Sequence, residues 1–232
     1  MANSKLTQNL KELKTFTNQA ISMSNAIINH TEFINSRLPN EYQELTYIQS
    51  TSDRKQYINT GLVPKSNLKI ECKLLVVNYS DYDVILGQTV SDMNNGSIAL
   101  RVFKTPAIDC SYSGHQKIEV KISYNTELEI SAWNCGITIN NSTASKSAIS
   151  FTPNNLSLYM FGGNQNNSLW RGFYGRIYYM RLYNDDNLVR EFIPARRRSD
   201  SVLGMYDLVN DKFYTNNGSG SFVAGEEVNR EW

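Results

Sequence analysis

From Tyr42 to Phe222 the chain repeats one cadence. A short run of β-branched and aromatic residues is followed by a cluster of Asn, Asp, Ser or Gly. The runs are 68–77, 83–88, 97–103, 117–124, 128–133, 136–140, 156–163, 173–183, 188–194 and 202–209. Between them stand clusters such as Asp92-Met93-Asn94-Asn95-Gly96, Asn140-Asn141-Ser142, Asn184-Asp185-Asp186-Asn187 and Asn216-Asn217-Gly218-Ser219-Gly220. Asn, Asp and Gly accept left-handed backbone or close turns with their own side chains. Many short strands at even spacing, with no helical period, predict an all-β sandwich or jelly roll. The run 173–183 has apolar side chains on both alternating sets, with Ile177 and Tyr179 on one and Tyr178, Met180 and Leu182 on the other. That pattern predicts a central strand covered on both faces. Asn210-Asp211 is the expected turn of a closing hairpin.

The first 37 residues differ in kind, with neither Gly nor Pro. Leu6, Leu13, Ala20, Ile27 and Ile34 recur every seven residues, and Leu10 begins a second column that continues with Thr17, Ser24 and Thr31. A sustained seven-residue spacing signals a coiled coil. Phe16, Met23, Ile28 and Phe33 broaden the apolar stripe, and breadth with isoleucine in the seam points to three helices rather than two. Such a helix is about 50 Å long at 1.5 Å per residue. Leu38-Pro39 ends it, because Pro lacks a donor and pushes the preceding residue out of helical geometry. The expected organisation is an N-terminal helical oligomerisation stalk over 1–37, a β head over 38–222 and a C-terminal tail over 223–232.

The totals exclude several classes. Among 232 residues, 23 Lys and Arg face 22 Asp and Glu, for a net charge of +1. Nucleic-acid binding needs a basic excess on one face, and the only basic run, Arg196-Arg197-Arg198, reads as a solvated turn. Three cysteines without CxxC spacing, Cys72, Cys110 and Cys135, argue against a disulfide framework or a zinc site and for small buried hydrophobes. No secretory signal and no bilayer-length apolar run are visible, so no membrane insertion is expected.

The opening of the β region contains Leu38-Pro39, Glu41-Tyr42, Tyr47-Ile48-Gln49-Ser50-Thr51, Gln56-Tyr57-Ile58-Asn59-Thr60-Gly61 and Pro64. Its close runs from Gly175 to Phe222 and includes GRIYYMRLYNDDNLVREFIPARRRSD. These ends resemble a concanavalin-like (laminin-G-like) jelly-roll domain of phage and prophage structural proteins and of gut-bacterial surface proteins. The middle, 78–155, fits by strand number alone. The resemblance implies a jelly-roll sandwich and makes Arg190 and Arg196–Arg198 structural or solvent-facing. It does not imply a ligand, since this fold hosts many functions.

Catalytic constellations are missing. Glu127-Leu128-Glu129 places two acids on one strand face, but no third acid follows, as glycosidases on this fold require. His30 and His115 belong to no triad order. No enzymatic activity is expected. No cofactor is expected either. Calcium is common in laminin-G-like folds, and Asp81, Asp83 and Asp92 are the acids available, without a spacing that singles them out.

A binding surface remains. Sugars need an aromatic face for their apolar side and amides or carboxylates for their hydroxyls. Trp170 beside Asn164 and Gln165, with Tyr82, Tyr112 and Trp133, are the candidate glycan-binding residues. The expected protein is a trimeric phage virion fibre or appendage, made in the host cytoplasm and joined to other virion proteins through its N-terminus. Its heads bind host-surface or mucus glycans. The alternative is a capsid or tail decoration protein without a glycan ligand.

Overall fold

The computed structural model describes residues 13–21, 37–80, 82–91, 95–113 and 116–228. Contacts divide the chain into two compact units, Met1–Pro39 with Asn229–Trp232, and Asn40–Val228. In the first unit, residues 13–21 form one short helix, α1. Leu13, Phe16 and Ile21 are exposed on it, as is Ala20. Leu6, Leu10, Ile27 and Ile34 lie outside the described residues. Of the long helix expected over 1–37, the described residues show only this short one, and they do not support a coiled-coil stalk.

The second unit is all-β. Its strands are β1 (Tyr42–Glu44), β2 (Ile48–Gln49), β3 (Ile58–Asn59), β4 (Lys69–Asn78), β5 (Tyr82–Thr89), β6 (Ile98–Phe103), β7 (Ala107–Tyr112), β8 (Gln116–Lys121), β9 (Glu127–Trp133) and β10 (Gly136–Ile139). They continue with β11 (Ser142–Ser145), β12 (Tyr159–Met160), β13 (Gly162–Gln165), β14 (Ser168–Trp170), β15 (Tyr174–Asn184), β16 (Asn187–Arg197), β17 (Leu203–Asp207), β18 (Lys212–Thr215) and β19 (Val223–Ala224). The larger sheet runs β11-β10-β9-β4-β15-β16-β17-β18, with β1 on β16 and β2 between β15 and β19. The smaller runs β14-β13-β5-β6-β7-β8, with β12 and β3 attached.

The core lies between the sheets, and period-two alternation fills it. In β4, Ile70, Cys72, Leu74 and Val76 face inward, while Lys69, Glu71 and Lys73 are only half-buried. Opposite stand Leu86, Ile98, Leu100, Val102, Ile108 and Cys110 of the smaller sheet. Burial pushes the Cys110 thiol up to about 12, consistent with a packed, unreactive cysteine.

Strand β15 departs from its expected alternation. Its register against β4 shifts between Ile177 and Tyr179, which is a β-bulge at Tyr178. Ile177, Met180 and Leu182 are all buried, whereas Tyr178 and Tyr179 are both half-buried. The strand is central in its pairing, yet the second sheet covers only one of its faces. Simple alternation would have placed Met180 opposite Ile177; the extra residue restores both to the core.

The β unit also runs past Phe222. Ala224 and Val223 pair with Ile48 and Gln49, Leu45 bridges Glu227, and Val228 N donates to Glu44 O at 3.0 Å. As far as Val228, the expected tail closes an edge whose backbone groups would otherwise be unpaired.

One charged pair is buried within the smaller sheet. Arg101 Nε and Nη2 donate to the two carboxylate oxygens of Asp109 at 2.9 and 2.6 Å, directly across β6 and β7. Asp109→Ala strands a buried guanidinium and is expected to cost about 3–5 kcal/mol. Urea unfolding measures it; a loss below about 1 kcal/mol would show that the pair carries little stability.

Candidate functional site

The outer face of the larger sheet carries a cleft of about 540 Å³ lined by Thr46, Tyr47, Lys73, Glu127, Arg176, Tyr178 and Glu226. Its volume falls in the range of about 300–1,000 Å³ typical of ligand pockets. Four strand segments meet there. Tyr47 immediately precedes β2, Lys73 is on β4, Glu127 opens β9, and Arg176 and Tyr178 stand on β15. Tyr178 shares this outer face with Arg176 by alternation, and the bulge adds Tyr179 to it.

The cleft is organised by charge and aromatic contact. Tyr47 and Tyr178 meet edge to face, with centroids 5.5 Å apart. Arg176 lies over the Tyr47 ring at 4.4 Å, and Lys73 over the Tyr178 ring at 5.1 Å. Arg176 Nε donates to Gln49 Oε1 at 2.8 Å, and Lys73 pairs with Glu127 at 2.7 Å. The Tyr178 ring stands beside Arg176 and Glu127 in the lining of the cleft. The hydrogen bond from Lys73 holds the Glu127 carboxyl below its ordinary value, and the same bond raises Lys73. Burial, before any other cause, raises the Tyr178 phenol. At neutral pH the cleft therefore presents carboxylate, ammonium, guanidinium and neutral phenol groups between two rings. This is a polar, preorganised surface suited to a ligand with many hydroxyls.

The face continues along β9 and β15. The Tyr179 hydroxyl donates to Glu129 Oε2 at 2.6 Å, and the Tyr183 hydroxyl to Glu71 Oε2 at 2.9 Å. Glu129 and Tyr179 line a smaller depression of about 220 Å³ with Glu71, Ser131, Thr138 and Asn140. The Glu127-Leu128-Glu129 pair thus lies on the outer face, each acid engaged with a neighbour across the sheet.

Of the six candidate glycan-binding residues, the structure brings Tyr82 and Trp170 together, keeps Asn164 and Gln165 on the hairpin that carries Trp170, and places Tyr112 and Trp133 elsewhere. Arg171 lies over both rings, at 5.2 Å from Tyr82 and 5.7 Å from Trp170. Tyr112 is in the core, only 1% exposed, and its hydroxyl donates to Leu68 O at 2.8 Å; it offers no ring face to a ligand. Asn164 is fully buried. Its amide donates to Ser157 O at 2.8 Å and accepts from Asn167 N at 2.7 Å, so it builds the hairpin turn. Gln165 is half-buried at the end of β13, opposite Ser168. Trp133 is half-buried with its indole donating to Cys135 Sγ at 3.0 Å. A Cβ on Gly136 would come within 2.3 Å of that ring, so Trp133 packs on its own hairpin. Within the polar text around Trp170, the Asn164 amide serves the turn rather than a ligand.

The remaining expected groups are also placed. Asp83 is buried and spends its carboxylate on Arg54 at 3.0 Å and on Ser80 at 2.5 Å; Asp81 and Asp92 lie outside the described residues. Among the described residues, no three metal-ligating side chains cluster. Arg190 pairs with Asp207, Arg196 with Glu227 and Arg197 with Asp200, while Arg198 donates to Gln43 and to Asn40 O.

No protein-family model and no curated protein matches the chain. Solved structures do resemble it. One is a "putative carbohydrate binding protein" from Bacteroides ovatus, at 15% identity and a TM-score of 0.54, covering 79% of this chain and 60% of that one. Another is a heptameric SAP-like pentraxin from Limulus polyphemus, at 6% identity and a TM-score of 0.50, covering 82% and 98%. The fold is a jelly-roll sandwich of this kind. The chain spans 60% of the length of the Bacteroides protein.

Glu127 provides a pH test. A carboxyl held below its unfolded value adds stability that is present above that value and lost as pH falls through the folded one. Lys73→Met is expected to move the Glu127 midpoint upward toward the ordinary carboxylate value, read by carbon-detected NMR titration. An unmoved midpoint would remove Lys73 as the cause.

Proposed function

We propose that the protein is a non-catalytic, glycan-binding fibre or appendage of a phage virion, trimeric through its N-terminal helix. In this reading the sandwich binds host-surface or mucus glycans. The observation that carries it is the large-sheet cleft, where two tyrosines, two cations and two carboxylates converge on one open concave surface. The jelly-roll architecture supports it, because sandwiches offer flat outer faces on which sugars can lie. The sequence resemblance of the two ends of the β unit supplies the phage context. Exposed Leu13 and Phe16 on α1 suit a helix that buries its apolar stripe against copies of itself. Trimerisation multiplies weak affinity through effective concentration, so each cleft can bind poorly. In this proposal the chain is made in the host cytoplasm and joins other virion proteins through its N-terminus.

Tyr178→Ala is expected to weaken binding to glycans captured on an array about tenfold or more, roughly 1.4 kcal/mol, with unchanged thermal melting. A folded protein that binds nothing on host-derived arrays would favour the decoration reading instead. Light scattering tests the assembly. The full chain is expected at three times its 26.4 kDa mass, and a chain starting at Asn40 at one. A monomeric full chain would remove self-trimerisation from the proposal.

A further inference from the structure

The smaller sheet ends in a second feature, distinct from the cleft and on the opposite layer. Strands β13 and β14 form a hairpin whose turn is Asn166-Asn167, both left-handed, with φ of 49° and 67°. Two successive left-handed residues make the two-residue turn that fits strand twist, and Asn suits it. The next residue after β14, Arg171, is also left-handed, with φ of 49°. That conformation disfavours a residue with a Cβ, so the backbone here is strained. It is held on both sides. The Arg171 carbonyl accepts from Val84 N at 2.9 Å, and a Cβ on Gly172 would collide with Arg54 O.

The strain sets the direction of the Arg171 side chain. Its guanidinium lies over the rings of Tyr82 and Trp170. Tyr82 is braced edge-on by Phe103 at 4.9 Å. Trp170 is laid on Gly163, where a Cβ would come within 2.6 Å of the indole. Arg171 is exposed. Arg54, Arg101, Arg181, Arg190, Arg196 and Arg197 each pair with a carboxylate. Among the described residues Arg171 has neither an ion pair nor a side-chain hydrogen bond. Here is a planar fork of donors, oriented by two rings and without an anion among the described residues.

We propose that Tyr82, Arg171 and Trp170 form a binding site for a carboxylate carried on a sugar ring. The guanidinium fork matches a carboxylate in two parallel hydrogen bonds, and stacking on rings fixes it before the ligand arrives, which lowers the cost of binding. The exposed part of Tyr82 gives the apolar face of a pyranose a surface beside the charge. On the same hairpin Asn167 and Ser168 are exposed, giving amide and hydroxyl groups rather than an apolar rim. This surface chemistry favours a hydroxylated ligand over an apolar protein partner. The site does not depend on the large-sheet cleft, and each can fail without the other.

The test uses the full chain titrated with glucuronate, galacturonate and N-acetylneuraminate, their methyl esters, and glucose 6-sulfate. Ligand-observed NMR and tryptophan fluorescence give the readouts. At least one free acid is expected to bind ten times or more tighter than its ester. Arg171→Gly is expected to abolish that binding while leaving the melting temperature unchanged or higher, because glycine relieves the left-handed backbone. Arg171→Lys keeps the charge, loses the fork and is expected to weaken binding several-fold. Tyr178→Ala, in the other sheet, is expected to leave acid binding intact. Equal binding of acid and ester, no binding of any acid, or full binding by Arg171→Gly overturns the proposal. Binding of the sulfate alone overturns it in favour of a sulfate ester, and capture of an acidic peptide without any sugar acid overturns it in favour of a protein contact.

Discussion

Strand β15 is the constraint on which the sandwich depends. It pairs with β4 along most of its length, with β2 near its start and with β16 near its end. Ile177, Met180 and Leu182 must all reach the core. A strand with strict alternation cannot do this, since Ile177 and Met180 are three residues apart and would face opposite ways. The bulge at Tyr178 resolves the conflict. It inserts one residue, keeps the hydrophobic set inward and leaves two consecutive tyrosines on the outer face. A packing requirement thereby places Tyr178 and Tyr179 where they can serve a ligand.

The outer face that results is an ordered polar surface rather than a merely solvated one. Tyrosine hydroxyls and carboxylates pair from strand to strand, Tyr179 with Glu129 and Tyr183 with Glu71, while Glu127 pairs with Lys73. Cations lie over the rings or bridge the acids. Individually such exposed pairs contribute little to stability. Collectively they hold side chains in fixed directions, and that reduces the ordering cost of any ligand that lands on them. The Arg171 site on the opposite sheet uses the same device with the opposite outcome. There the rings fix a cation, and no carboxylate among the described residues answers it.

The two ends of the β unit illustrate how backbone satisfaction shapes the molecule. The chain enters through β1 and β2 and leaves through β19, and entry and exit meet where Val223–Ala224 pair with Ile48–Gln49. Residues expected to trail as a tail are drawn in because an unpaired edge strand leaves donors and acceptors without partners. Thr46 and Tyr47 on entry and Glu226 on exit then border the cleft. The site is completed by the closure of the sandwich.

Sequence alone determined the class of fold, because alternation, turn residues and strand spacing are local properties that need no knowledge of partners. The strands over 68–77, 83–88 and 97–103, and the hairpin turning at Asn210-Asp211, follow from them. It also singled out Tyr82 and Trp170 as candidates, though not Arg171 beside them, whose left-handed backbone has no marker except the Gly172 that follows. The cleft was not legible. Tyr47, Lys73, Glu127 and Tyr178 are separated by up to 131 residues in sequence, and only strand pairing makes them neighbours. Tyr112 and Trp133 read as surface candidates because an aromatic in polar text looks alike whether its ring faces water or the core. Which face a strand residue takes depends on register, and a single inserted residue at Tyr178 reverses it. Register is set by the packing of the whole sandwich, so only the tertiary structure could decide it.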